Sequence, residues 1–247
     1  MMSKSAITVD NVTICYRDIK RFSIKKLISN SSSLSKSNVF TAVNNVSFKV
    51  NKGEILGICG KNGSGKSTLL TGIAGIFSPD KGNIDLHKNT ISLLSIGVGF
   101  QKALTGYENI YLSGMLLGFS KQEITEKLSE IVEFSELGGF LKKPVSSYSS
   151  GMHSKLAFSI TAILETDIIL IDEVFSVGDV KFKQKSYDKM KSLIQDDKRT
   201  VVIVSHSSKA LIELCDRVIW LHQGEIKEIG DAKKVVDNYE KFMLDSD

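Results

Sequence analysis

Gly60-Lys61-Asn62-Gly63-Ser64-Gly65-Lys66-Ser67 stands between an apolar, β-prone run, Ile55-Leu56-Gly57-Ile58-Cys59, and a helix-forming segment, STLLTGIAGI, at residues 67–76. The string fits GxxxxGK[ST] in the context that gives the pattern its meaning, a strand running through a glycine-rich turn into a helix. Its glycines let backbone N–H groups turn inward around phosphates at a helix N-terminus. Lys66 is placed to reach the β- and γ-phosphates, and the Ser67 hydroxyl to bind Mg2+. The stretch therefore predicts a nucleotide site with Mg2+, formed by Gly60, Asn62, Gly63, Ser64, Gly65, Lys66, Ser67 and the following Thr68.

Outward from this loop, the pattern is that of an α/β chain. Residues 6–16 and 42–50 alternate apolar and polar side chains, as half-buried strands do. Residues 108–117 and 121–134 read as helices within a mostly helical stretch, 106–165. An apolar strand at 168–171, a helix at 182–194, strands at 200–204 and 218–221, and an amphipathic helix at 231–244 follow. Val/Ile-rich strands alternating with helices predict a mostly parallel core sheet. An antiparallel β subdomain and an α-helical subdomain are expected beside it, in a single ATP-binding domain over residues 1–247 ending in a helix at 231–247.

The strand at 168–171 ends in Asp172-Glu173. Beside a phosphate loop, an acid in this position holds Mg2+ directly or through water, which assigns Asp172 to the metal. Glu173 is then placed to take a proton from an attacking water.

Composition excludes other classes. The net charge of +4 is too small to imply nucleic acid. No run without a charged residue exceeds 13 positions, of which 89–101 is one, so a membrane-spanning helix of about 20 apolar residues is not expected. The N-terminus has no apolar core of a secretory signal. Three widely spaced cysteines, Cys15, Cys59 and Cys215, with no CxxC, fit a reducing cytoplasm rather than a disulfide framework. The charge is concentrated: residues 17–40 carry a net +5, which leaves −1 for the rest, and six of the ten residues 29–38 are Ser. This segment reads as a solvated insertion between two strands, either a simple linker or a basic surface for anionic headgroups or a membrane partner.

The order of phosphate loop, Gln101, Tyr148-Ser149-Ser150-Gly151-Met152, Asp172-Glu173 and His206 resembles the ATP-binding subunits of ABC transporters. The resemblance covers essentially all of the chain except 17–40. It implies that Ser149, Ser150 and Gly151 meet the nucleotide held by an opposite subunit, so that ATP is enclosed in a homodimer. Gln101 would sense Mg2+ and the attacking water, and His206 would touch the γ-phosphate. Asp179 closes a turn, Ser176-Val177-Gly178-Asp179, that crosses the dimer interface. Tyr16 is the expected adenine-stacking ring, with Phe40 its rival. Ser150 and Met152 depart from the family's LSGGQ, and Val177-Gly178 from its usual Ala-Leu.

Gly97-Val98-Gly99-Phe100-Gln101, Leu104-Thr105-Gly106-Tyr107-Glu108-Asn109-Ile110-Tyr111 and the basic insertion before Ala42-Val43 look like the polysaccharide-export branch. That implies an ABC-2-type integral permease, peripheral association with the cytoplasmic side of the plasma or inner membrane, and O-antigen, capsule or teichoic acid as cargo. The chain ends after its terminal helix, so the membrane partner is expected to select the polymer. An importer or drug-exporter ATPase is the alternative within the family. A soluble ATPase of translation or repair, or a nucleotide-binding regulator without turnover, lies outside the transport reading.

Overall fold

The computed structural model describes residues 5–17, 39–94, 99–172, 179–194, 196 and 198–245. Two sheets organise them. Strands β1 (Ser5–Arg17), β2 (Val39–Asn51) and β4 (Lys81–Asp85) form an antiparallel sheet in the order β2-β1-β4. Alternation in β1 turns Ile7, Val9, Val12 and Ile14 inward. Arg17 and Val39 are register partners, so the basic insertion leaves and re-enters at one point of the β1–β2 pair. Residues 18–38 of that insertion lie outside the described residues.

The second sheet has six strands in the order β5-β6-β7-β3-β8-β9. They are β3 (Ile55–Cys59), β5 (Ile91–Leu93), β6 (Ile168–Asp172), β7 (Thr200–Val204), β8 (Arg217–His222) and β9 (Glu225–Asp231). Every pairing is parallel except β8–β9. Strands β3, β6 and β7 are buried along almost their whole length, which is why they read as continuous apolar runs rather than alternations. One face packs on the antiparallel sheet and α1 (Lys66–Ile73) through Leu56, Ile58, Leu69, Leu70 and Val202. The other face packs through Phe182, Ile169, Val201, Leu211 and Val235. These last come from α5 (Val180–Ile194), α6 (Ser208–Leu214), α7 (Ala232–Leu244) and the sheet itself.

A third apolar cluster belongs to the helical part: α2 (Gly106–Leu116), α3 (Lys121–Ser135) and α4 (Ser150–Ile163), closed over Ile110, Ile124, Ile131, Leu156 and Ile160. Local chemistry sets where α2 and α3 begin. Thr105 and Glu108 form a capping box, as do Ser120 and Glu123, each hydroxyl accepting from the backbone N–H three residues on while the glutamate returns to the cap's own N–H. Such caps stabilise a helix by about 1 kcal/mol. Thr105 places the start of α2 at Gly106 rather than at the expected 108.

Two elements lie beyond the sequence reading. Helix α6 is short and capped by Ser207, and β9 doubles back on β8 through Gln223-Gly224. Both turn residues have positive φ (50° and 83°), the geometry of a tight hairpin whose twist matches its strands. No helix among the described residues is long and apolar enough to cross a membrane.

Candidate functional site

The phosphate loop lies where the sequence places it, between β3 and α1. Three of its features suit phosphate. Gly60 and Gly65 have φ of +151° and +100°. A Cβ at Gly60 would strike the Leu221 carbonyl oxygen, and one at Gly65 that of Ala42, so both positions require glycine. Lys66 is buried, its Nζ donating to the carbonyls of Gly60 (2.8 Å) and Lys61 (3.1 Å), which brings the ammonium back across the loop. The buried Ser64 Oγ has no hydrogen-bond partner among the described residues, an orphan that a phosphate oxygen would satisfy.

Strand register gathers the other groups at the same end of the sheet. Val204 of β7 pairs with Ile58 of β3 on one side and Asp172 of β6 on the other. The loop after β3, Asp172, and His206 two residues beyond β7 therefore share the carboxyl end of the parallel strands, where open α/β sheets bind ligands. The Ser67 hydroxyl donates to Asp172 Oδ1 at 3.3 Å. A hydroxyl and a carboxylate side by side are hard oxygen donors of the kind Mg2+ takes, alongside phosphate oxygens; the residues present fit that ion. His206 is exposed there. Glu173 lies outside the described residues, as do Ser176, Val177, Gly178, Gly97 and Val98.

Tyr16 and Phe40 face each other as register partners of β1 and β2, both rings roughly half-exposed (49% and 61%). Directly opposed residues share a face, so both candidate stacking rings lie on one surface. Tyr16 Oη lies 3.3 Å from the Thr68 hydroxyl, which fixes it beside the first turn of α1.

Ser149 caps α4, its Oγ accepting from the Met152 N–H at 3.2 Å. Ser150 and Gly151 occupy the first turn, at the electropositive helix end. Among the described residues, a Cβ at Gly151 would meet only Ser149 Oγ, at 3.9 Å, and none of them demands glycine there. Asp179 caps α5, accepting from the Phe182 N–H at 3.0 Å, and pairs with Lys155 of α4 at 2.7 Å. The hydrogen bond from Lys155, followed by that from Phe182, holds its carboxyl down at about 2. Lys155 also lies 3.8 Å from Glu136, so one ammonium joins α4 to the residue that ends α3.

Gln101 is exposed on the segment between β5 and α2. Its neighbour Phe100 stacks obliquely on His153 of α4, with centroids 4.7 Å apart. Burial, and secondly the Lys102 charge, push the His153 imidazole below its ordinary value.

Two contributors lie beyond the sequence reading. Gly224 donates its N–H to the Ser64 carbonyl (3.0 Å) and accepts from Asn44 (2.8 Å), so the β8–β9 hairpin buttresses the phosphate loop. Asn109, fully buried, hydrogen-bonds the Gln101 backbone. The first could have been found from the Gln-Gly turn. The second carried no signal beyond its place in the string Glu108-Asn109-Ile110.

A mostly parallel sheet with a phosphate loop after one strand and an acid at the tip of another, one strand between them, defines an α/β nucleotide-binding ATPase domain. The ABC transporter family profile matches residues 43–176, and the chain belongs to that family, as an ATP-binding and ATP-hydrolysing domain. It is 46% identical to the teichoic acids export ATP-binding protein TagH of Bacillus anthracis over 82% of its own length, although it spans only 36% of that protein. It is 41% identical to the O-antigen export system ATP-binding protein RfbB of Klebsiella pneumoniae, over 85% of each chain. To TagH of Staphylococcus haemolyticus it is 40% identical, over 97% of this chain and 90% of the other. An ATP-binding subunit of an ABC transporter shares the fold with a TM-score of 0.71 at 20% identity, covering 96% of this chain and 94% of that one. A dimeric ATP-binding cassette in a post-hydrolysis state with ADP and Pi gives 0.65 at 24%, covering 92% and 98%.

Proposed function

We propose that the chain is the ATP-hydrolysing subunit of an exporter of lipid-linked polysaccharide, a class that includes O-antigen, capsule and teichoic acid. It works as a homodimer held to the cytoplasmic face of the membrane by an ABC-2-type permease. One observation carries the energy-converting part: the phosphate loop, the Ser67–Asp172 pair and His206 meet at one end of the sheet. The cargo class is supported by the relatives, which are named for teichoic acid and O-antigen export.

In this reading the loop N–H groups and Lys66 bind the β- and γ-phosphates, Lys66 exchanging the carbonyls of Gly60 and Lys61 for phosphate oxygens. Ser67 and Asp172 would hold Mg2+, and Gln101 would sense it together with the attacking water. Bound there, the ion neutralises charge on the phosphates. Glu173 takes the proton of the attacking water and His206 steadies the γ-phosphate. Tyr16 stacks on adenine. Ser149, Ser150 and Gly151 complete the partner subunit's site; the space that the described residues leave at Gly151, and the backbone N–H groups of Ser150 and Gly151 at the start of α4, suit a phosphate arriving from outside the chain. Asp179 stands at the same interface. After hydrolysis the like-charged products repel and favour reopening. Closure and reopening then shift the permease between its states, as differential affinity allows.

The test is a Lys66→Ala substitution in the cell that makes the protein. Surface polymer should be lost while lipid-linked polymer accumulates inside, and the wild-type chain should co-purify with a multispanning permease. Normal surface polymer with a defect in another transported substrate overturns the cargo reading.

A further inference from the structure

The backbone of the exposed Gln101 is anchored by a buried side chain. Asn109 Oδ1 accepts from the Gln101 N–H at 2.8 Å, and Asn109 Nδ2 donates to the Gln101 carbonyl at 3.1 Å. The same amide donates to the carbonyls of Leu104 (3.1 Å) and Thr105 (2.9 Å). Asn109 is 0% exposed and lies in the first turn of α2, in the helical part of the molecule. One side chain thus satisfies both backbone groups of Gln101 and gathers the carbonyls of the turn that follows it.

The opposite side of this turn is fixed as well. The Ser146 N–H donates to the Lys102 carbonyl at 2.8 Å and the Val145 N–H to the Leu104 carbonyl at 2.9 Å. That second segment runs straight into Tyr148 and Ser149, the cap of α4. Gln101 is therefore clamped between the start of α2 and the chain that leads to the signature helix.

The chemistry requires an amide at 109. It must accept once and donate more than once in a site without water, and no other side chain of that size does both. An aspartate would set its oxygens against the carbonyls of Gln101, Leu104 and Thr105. An apolar residue would leave the Gln101 N–H without its partner and take one of their donors from the three carbonyls.

We infer that Asn109 is the positioning residue for Gln101, fixing its backbone to the start of α2 and so to the helical part of the molecule. This rests on the reading of Gln101 as the residue that meets Mg2+ and the attacking water.

The experiment is single-turnover hydrolysis by the full chain, with Asn109→Ser, Asn109→Asp, Gln101→Ala and each double variant. ATP affinity, thermal melting and amide hydrogen exchange at Gln101 are measured beside it. Asn109→Ser, the milder change, keeps a hydroxyl and covers the case in which Asn109→Asp does not fold. The expected result is a turnover about tenfold lower with ATP affinity within about twofold, and lost protection of the Gln101 amide. In the Gln101→Ala background the same change should cost less than about twofold, because the group it positions is gone. An equal factor in both backgrounds, or unchanged protection, overturns the positioning role while Gln101 keeps its own. Unchanged turnover in Gln101→Ala alone overturns the underlying reading of Gln101, and the inference with it.

Discussion

The Ser67 hydroxyl donates to Asp172 Oδ1 across 3.3 Å, tying the first turn of α1 to the tip of β6 although 105 residues separate them in sequence. Neither residue alone is a Mg2+ site. Together they present two hard oxygens beside the loop that holds the phosphates. Asp172→Ala should raise the Mg2+ concentration for half-maximal hydrolysis by about tenfold or more, with a smaller effect for Ser67→Ala. A Mg2+ titration of turnover at saturating ATP checks this, and identical half-saturation in wild type and variant would remove Asp172 from the metal.

Tyr16 and Phe40 are register partners on one face, so single substitutions at each decide which ring meets the base. Removing a stacked ring costs about 1–3 kcal/mol per base. Tyr16→Ala should therefore weaken ATP binding by about tenfold or more, and Phe40→Ala by less than about twofold. Tyr16→Phe keeps the ring and drops the bond to Thr68, so it should bind nearly as wild type. Fluorescent-nucleotide titration reads all three, and a reversed order would assign adenine to Phe40.

Much of this architecture is legible in the sequence because its decisive signals are local. The loop at 60–67 sits between a strand and a helix, and Ile168-Ile169-Leu170-Ile171 is apolar on both faces because both faces are covered. The turn residues Gln223 and Gly224 escape because a Gln-Gly turn is a weaker signal than Asn-Gly, and β9 is an edge strand of alternating partial exposure. Asn109 escapes for another reason. It reads as an ordinary early-helix polar residue, and only tertiary closure puts Gln101 within reach of its amide. The role of Gly151 is half legible. Its place in the signature is visible, but that none of the described residues fills the space beside it is a fact of three dimensions.

Glu173 follows Asp172 directly and carries the proton-transfer role in the proposed reaction. Glu173→Gln keeps size and hydrogen-bonding capacity but cannot take a proton. ATP binding should be unchanged within about twofold while turnover falls by about 100-fold or more, the usual range for a lost general base. Bound nucleotide should then persist, and the chain should run as a dimer with ATP in size-exclusion chromatography. Unchanged turnover would move the base elsewhere.

Asp179 gives a pH signature that its neighbours explain. The hydrogen bond from Lys155, then that from the Phe182 N–H, lowers its carboxyl from 3.8 to about 2. A folded-state value below the unfolded one stabilises the fold above about 3.8, and that contribution is lost as pH falls through the window from 3.8 to about 2. Lys155→Met removes the first cause and keeps an unbranched side chain, while losing the ammonium that lies 4.9 Å from the Phe182 ring centroid. Its stability should therefore fall less steeply with acid across this window than the wild type's. Asp179→Asn removes the titration altogether while keeping a cap for α5, so its curve should be flatter still. Urea midpoints between pH 5 and the lowest pH at which the chain remains folded read the effect. Parallel curves for wild type, Lys155→Met and Asp179→Asn would show that the pair contributes nothing to acid stability.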